Sequence, residues 1–259
     1  MFRALTYGIS LCLLAVSAVA QEAAEQPAAE AEAPAAAAEE AAEATGGTWS
    51  GSAELGGTVT TGNSETENLN GKAEAVYERD RWRHTTKAEA LYSSDAGVDT
   101  AERYVASYKA DYKRSERSYI FGALRGEVDE FSGYEYRVSE SVGYGRRFWE
   151  VPDKGYFDLE AGPGFRHSKP EDGVREDHAI ARMAAKYRNK WTPNTEFSED
   201  LIVEAGTDNT FTESVTGYKV RINSSLAMKL SYTIKHNTDV PVDKENTDTI
   251  TAVTLVYDF

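Results

Sequence analysis

What most constrains this chain is a two-residue alternation of apolar and polar side chains that returns about every 18 residues over roughly its last 210 positions. Tyr104, Ala106, Tyr108, Ala110 and Tyr112 alternate with Arg103, Ser107, Lys109, Asp111 and Lys113. Leu226, Met228, Leu230, Tyr232 and Ile234 alternate with Lys229, Ser231, Thr233 and Lys235. Phe157, Leu159, Ala161, Pro163 and Phe165 oppose Asp158, Glu160 and Arg166, while Ala179, Ala181, Met183, Ala185 and Tyr187 oppose Arg182, Lys186 and Arg188. Neighbouring side chains of a strand point to opposite faces, so each segment has one face for hydrocarbon and one for water. Such segments lie at about 49–62, 65–78, 82–93, 102–114, 118–130, 133–148, 155–167, 177–190, 194–206, 209–223, 226–237 and 246–259. The expected fold class is all-β: a transmembrane antiparallel up-and-down β-barrel of about 12 strands, its even number returning both ends to one side.

Taken alternately, the connections fall into two classes. Arg79-Asp80-Arg81, Ser115-Glu116, Val151-Pro152-Asp153-Lys154, Trp191-Thr192-Pro193 and Ser224-Ser225 are short, as periplasmic turns are. The stretches from Ser94 to Thr100, Ser168 to Glu176 and Asn237 to Glu245 are longer and acidic, as outward loops are, although Gly62-Asn63-Ser64 and Thr207-Asp208 are tight. Aromatic side chains gather where these strands end. Trp49, Tyr77, Trp82, Tyr112, Tyr119, Phe148, Trp149, Tyr156, Trp191, Tyr257 and Phe259 fall at the expected periplasmic ends, and Tyr92, Tyr104, Phe131, Tyr134, Phe165 and Phe211 at the opposite rim. Amphipathic rings favour membrane–water boundaries, whereas a soluble sandwich would send them to a core between sheets. Against this, Glu140 and Glu199 share the parity of apolar neighbours, where a bulge, a rim position or a shifted boundary is the expected explanation.

The ends carry an address. Arg3, an apolar run from Ile9 to Val19 and the small-residue site Ala18-Val19-Ala20 make residues 1–20 a secretory signal peptide, too short for a spanning helix of roughly 20 residues. The sole cysteine, Cys12, lies inside it, so disulfides, thiol catalysis and cysteine zinc sites are excluded from the mature chain. Residues 21–47 are nearly all Ala, Glu, Gln and Pro before Thr45, a composition that cannot bury enough surface to order itself, and read as a disordered periplasmic tether. Residues 48–259 are then the barrel, in a bacterial outer membrane. The chain carries a formal net charge of -15, of which seven tether glutamates supply part, and this balance argues against nucleic acid as a partner.

Three stretches carry a resemblance: Gly57-Thr58-Val59-Thr60-Thr61-Gly62-Asn63-Ser64 with Tyr77 downstream, Gly143-Tyr144-Gly145-Arg146-Arg147-Phe148, and Leu159-Glu160-Ala161-Gly162-Pro163-Gly164-Phe165-Arg166. Across nearly all of residues 48–259 the chain resembles the YdiY-like salt-induced outer membrane protein family, also called domain of unknown function 481. The resemblance implies an outer-membrane β-barrel and brings no catalytic residues. Tyr257 and Phe259 resemble the terminal signal read by the barrel-assembly machinery.

Catalytic and cofactor chemistry finds little support. Gly162-Pro163-Gly164 has no helix after it to make a phosphate loop. His84, His167, His178 and His236 lie on four different strands without metal-ligand spacing. His167 and Ser168, the pair to check for a lipid-modifying enzyme, are adjacent on a strand and point apart. No catalytic residue, metal or cofactor is therefore expected. Loop acids Asp95, Asp99, Glu171, Asp172, Glu176, Asp177, Asp239, Asp243 and Glu245 could hold divalent cations against lipopolysaccharide phosphates, or form a solvated rim.

The lumen remains. Lys87, Glu89, Arg103, Lys109, Asp111, Arg125, Glu127, Asp129, Asp158, Glu160, Arg182, Lys186, Arg188, Glu196, Asp200, Glu204, Lys219, Arg221, Lys229 and Lys235 have inward parity. Twelve tilted strands give a backbone radius of about 12 Å, so long side chains leave a narrow passage or none. Acids and bases segregated to opposite walls would suit a diffusion channel; pairs across the lumen would plug it. The expected function is a narrow passive channel for small hydrophilic solutes, and the resemblance to the salt-induced family implies a link to osmotic or salt stress. The alternatives are a closed barrel for envelope stability that contacts lipopolysaccharide, and a lipid-modifying enzyme.

Overall fold

The computed structural model describes residues 46–60, 66–95, 98–129, 134–170, 173–240 and 245–259. The proposed signal peptide, all but the end of the tether, and the Gly62-Asn63-Ser64 turn lie outside the described residues. Among the described residues twelve strands are formed: β1 (Thr48–Thr60), β2 (Thr66–Arg79), β3 (Trp82–Asp95), β4 (Val98–Ser115), β5 (Ser118–Asp129), β6 (Tyr134–Val151), β7 (Gly155–Pro170), β8 (Glu176–Thr192), β9 (Thr195–Gly206), β10 (Thr210–Arg221), β11 (Leu226–Asn237) and β12 (Thr247–Asp258). Each pairs antiparallel with its neighbours in sequence, and β1 meets β12, so the sheet closes into a barrel. The start of β1, the end of β12 and the short turns share one end, the turn end; the opposite end is the loop end.

Several strands outrun the alternation. The stretch from Ser94 to Thr100, expected as a loop, is mostly strand: Asp95 pairs with Val98, with a register shift at Ser93/Ser94. β7 likewise continues through Lys169 to Pro170 against Tyr136 and Tyr134. Backbone pairing continues wherever a partner lies alongside, whatever the polarity of the side chains beyond the hydrocarbon.

The barrel is inside-out relative to a water-soluble fold. Leu55 is 67% exposed and Phe165 55%, whereas Asp111 is 1% exposed and Arg166 3%. The outward face of β4 carries Tyr104 and Tyr108 in the open, and that of β11 carries Met228, Leu230 and Tyr232. Such a surface is stable against hydrocarbon, which the strands can face because each is hydrogen-bonded to a neighbour on both sides.

Aromatic rings belt the turn end on the outside: Trp49 lies 4.9 Å from Tyr77, Trp82 5.1 Å from Tyr112, and Trp191 5.5 Å from Phe197 in parallel stacking. A bulge between Arg147 and Trp149 shifts parity, so the exposed Phe148 is followed by Trp149, which stacks on Tyr187 at 6.1 Å. Three rings assigned to the rims belong inside instead. Phe211 is fully buried beneath Arg125 and Arg137, Tyr119 is buried with its hydroxyl on Glu160, and the Tyr156 ring lies under Arg147. Tyr119 and Phe121 share the inward parity of Arg125, and β6 makes room for them. A Cβ at Gly145 would sit 2.3 Å from the Tyr119 ring, and one at Gly143 2.8 Å from that of Phe121.

The closing seam is the shortest. β1 pairs with β12 only where Ser52, Ala53, Glu54 and Leu55 face Asp258, Tyr257, Val256 and Leu255. Two further hydrogen bonds tie Gly51 to the terminal residue, Gly51 N–H to Phe259 O at 2.9 Å and Phe259 N–H to Gly51 O at 3.0 Å. Among the described residues, β12 has no β1 partner from Thr254 toward the loop end, although it stays paired with β11 as far as Thr247. Hydrogen exchange of the lipid-reconstituted barrel should therefore be faster over 247–253 than over β11. Equal protection of the two would show that the seam is closed along its whole length.

Candidate functional site: the barrel lumen

Alternation forces ionisable side chains inward, and the ring then dictates which of them meet. β4 and β10 are half the ring apart, yet Arg103 Nη2 donates to Glu213 Oε2 at 2.9 Å across the lumen. Arg125 Nη2 on β5 reaches the same oxygen at 3.1 Å. Glu127 collects Arg103 Nε at 2.9 Å, Arg125 Nη1 at 2.6 Å and Lys235 Nζ at 2.6 Å, the last from β11. Lys235 also reaches Asp129 at 3.0 Å. Phe211 supports this brace from β10, with the Arg125 and Arg137 guanidinium carbons 5.2 Å and 5.3 Å from its ring centre. The brace lies toward the loop end, near the last residues of β5 and β11 and the first of β10.

A second network lies deeper. Glu160 on β7 accepts from Lys109, from Arg182 Nη1 at 3.0 Å and from the Tyr119 hydroxyl at 2.8 Å, joining β4, β5, β7 and β8 over the glycines of β6. Asp111 is held by Arg83 at 2.7 Å. Asp158 takes a two-pronged contact from Arg147, at 2.7 Å and 2.9 Å. Smaller pairs complete the wall: Lys87 with Glu74 at 2.6 Å, Lys72 with Glu89 at 3.4 Å, Arg188 with Asp200 at 2.6 Å, Lys229 with Glu54 at 2.8 Å and Lys219 with Asp258 at 3.2 Å. Glu204 accepts from Ser139 at 2.8 Å and lies 3.9 Å from Arg166.

Between these networks the lumen keeps a cavity of about 310 Å³. Lys87, Lys109, Lys186, Arg188, Glu196 and Asp200 are among the side chains on it, with Ala123, Ser107, Ser198 and Ala184 giving the room. Arg221 is exposed at the last residue of β10, its N–H bonded to Asn194 O at 2.7 Å, and does not line the cavity. Tyr257 and Phe259 face outward, 6.3 Å apart, at the foot of the seam.

Several lumen residues escaped the sequence reading. Glu213, the far anchor of the brace, shares the parity of Lys219 and Arg221 on its own strand, so the signal was present. Glu54, Lys72 and Glu74 were harder to find, because the outward faces of β1 and β2 hold Gly51, Ala53, Ala73 and Ala75, which make a weak apolar stripe. Arg83 and Arg137 also point inward, as does Arg166, which the alternation of β7 sets on the polar face with Asp158 and Glu160.

On the outer wall, Glu199 sits in regular register opposite Thr216 and Tyr187, without a bulge. Its carboxylate accepts from the Ser214 and Thr216 hydroxyls, each at 2.6 Å. Glu140 is exposed and equally regular, opposite Phe165 and Leu124. The histidines are scattered: His84 Nδ1 is 2.7 Å from the Tyr108 hydroxyl, His167 Nδ1 2.6 Å from Asp177, His178 Nδ1 3.1 Å from Asp208 and His236 Nδ1 2.8 Å from Thr247. Ser168 is buried on the lumen side, away from the imidazole of His167. Of the loop acids, Asp177 is held by His167 and by Arg175 at 2.9 Å, while Glu171, Asp172, Asp243 and the Asp99 side chain lie outside the described residues.

Removing a buried partner strands its counter-ions, whereas an exposed pair contributes little. Glu160→Ala should destabilise the folded barrel by about 3–5 kcal/mol. Glu135→Ala, which breaks the exposed pair with Lys169, should cost about 0–1 kcal/mol. Urea unfolding in lipid vesicles reads both; equal losses would contradict the burial of the Glu160 network.

Comparison with known proteins agrees with this architecture. A family model described as "Protein of unknown function, DUF481" matches residues 53–259. The chain is 26% identical over 214 residues to the "Uncharacterized protein YdiY" of Escherichia coli (strain K12), covering 81% of this chain and 82% of that one. Among solved structures, the NanC porin aligns with a TM-score of 0.51 at 9% identity, covering 81% of this chain and 98% of the other, a likeness of fold.

Proposed function

The chain belongs to the DUF481 family, and from that premise we propose that it is an outer-membrane barrel acting as a narrow passive channel for small hydrophilic solutes. The observation that carries this reading is the charged cavity of about 310 Å³ inside a ring whose outer face suits lipid. A barrel serving only as a wall needs no chamber of this kind, since side chains as long as those of the brace would close the lumen here as they do at Glu213. In this proposal the turn end faces the periplasm and the brace of Arg103, Arg125, Glu127, Glu213 and Lys235 closes the outer half. A tie to osmotic or salt stress belongs to the same proposal, as do outer-membrane lipid, lipopolysaccharide and the barrel-assembly machinery as partners, the last through Tyr257 and Phe259. No enzymatic step is proposed: His167 and Ser168 point to opposite faces of β7.

Planar-bilayer recording tests the channel. Wild-type protein should pass a small salt-dependent current. Glu213→Ala, which removes the acid that Arg103 and Arg125 reach across the lumen, should raise it. Silence of both proteins would overturn the channel. It would favour a second reading, supported by the same cross-lumen pairs: a closed barrel whose role is envelope stability.

A further inference from the structure

The charges around the cavity leave one cation over. Nine lysines and arginines line it against eight carboxylates. Eight of the nine cations have a carboxylate within 4 Å; Lys186 has none among the described residues. The carboxylates of Glu74, Glu160 and Asp200 and the ammonium groups of Lys87 and Lys109 are among the charged groups that act on Lys186. Each of these is already engaged: Lys87 with Glu74, Lys109 with Glu160, and Asp200 with Arg188. Of the two acids opposite Lys186 on the neighbouring strands, Asp158 gives both oxygens to Arg147 and Asp200 gives one to Arg188, and neither pairs within 4 Å with the Lys186 ammonium, which also has two other ammonium groups near it. Glu196, the one lining carboxylate with no cation within 4 Å among the described residues, lies nearer the turn end, opposite Lys190 and Lys219.

Across the sheet Lys186 lies between Asp158 and Asp200, and the room beside it comes from Ala184 on its own strand. The inward face of β8 runs Arg182, Ala184, Lys186, Arg188, so a methyl group separates the ammonium from the Arg182 guanidinium along the strand. Ser107 and Ser141 line the same chamber and offer hydroxyl donors to an anion. At about 310 Å³ the chamber is at the low end of small-molecule sites, so its occupant is metabolite-sized.

We propose that the lumen cavity binds a small monoanionic hydroxylated solute, a sugar-acid-sized carboxylate, with Lys186 as its anion contact. One negative charge satisfies the unpaired ammonium, and a second would face the surrounding carboxylates without a free cation. Neutral polyols of the same size gain only hydroxyl contacts. This deepens the channel reading and rests on it for the route the solute takes; occupancy of the cavity can be measured without any current.

Isothermal titration of the folded, detergent-solubilised full-length mature chain at low ionic strength, with sodium gluconate and separately with glucose, tests the site. Gluconate should bind saturably and glucose much more weakly. Lys186→Gln should lower gluconate affinity about tenfold or more, the scale of one charge-assisted contact, and Lys186→Arg should retain most of it. Lys219→Gln removes the same charge from the same chamber and should change affinity far less, separating a direct contact from a general field. Absence of gluconate binding, equal binding of glucose, or equal losses in Lys186→Gln and Lys219→Gln would overturn the proposal. A conducting barrel that fails this titration keeps the channel and loses the site; a silent barrel that passes it loses the channel and keeps the site.

Discussion

In hydrocarbon a backbone amide has no water to bond, so each strand of this protein needs a partner on both sides, and only a closed ring supplies one to all twelve. The outward Leu55, Val142 and Phe165 are tolerable because the ring faces lipid, and the buried Asp111 and Glu160 are tolerable because the ring encloses their counter-ions. Reversing either face would leave apolar surface in water or charge in oil. The same closure explains the neat turns at one end: with both neighbours fixed, Asp80 and Asp153 adopt positive φ to turn the chain within a few residues.

Twelve strands make a lumen narrow enough for arginine and lysine side chains on facing walls to find the same carboxylate. Size thus turns a list of inward charges into a network. Glu127 gathers three cations from three strands, and Glu213 two. Where the inward residues are Ala184, Ala123, Ser107 and Ser198, the walls do not meet and the cavity remains. Passage and obstruction are therefore set by side-chain length at a few positions on an otherwise uniform ring.

The strand count and most boundaries were legible because period-two alternation is a local property, readable on β4, β7, β8 and β11 without knowing what lies across the barrel. Parity, too, is local, and it assigns Arg103, Glu127 and Lys235 to one face of their strands. Which acid Arg103 meets was not legible, since Glu213 is 110 residues away and is brought near only by closure. The inward turn of Tyr119 and Phe211 was missed for a related reason. Their strand-end positions suggest a membrane belt, whereas parity with Arg125 on β5 and with Lys219 on β10 sends them inside. The bulge at Phe148 was invisible because an extra residue leaves no mark on composition, only on the register of the residues beyond it.

The brace divides the ring into two arcs, and the short β1–β12 junction lies in the arc that runs from β4 back through β1 to β11. A hoop with a tie-rod across it holds its outline even when one of its joints is shallow. If Arg103 and Lys235 lose their far anchors, the resistance to ovalising passes to the joint with the fewest stitches. The width of the bore and the integrity of the wall are thus mechanically one quantity, shared between residues that never touch.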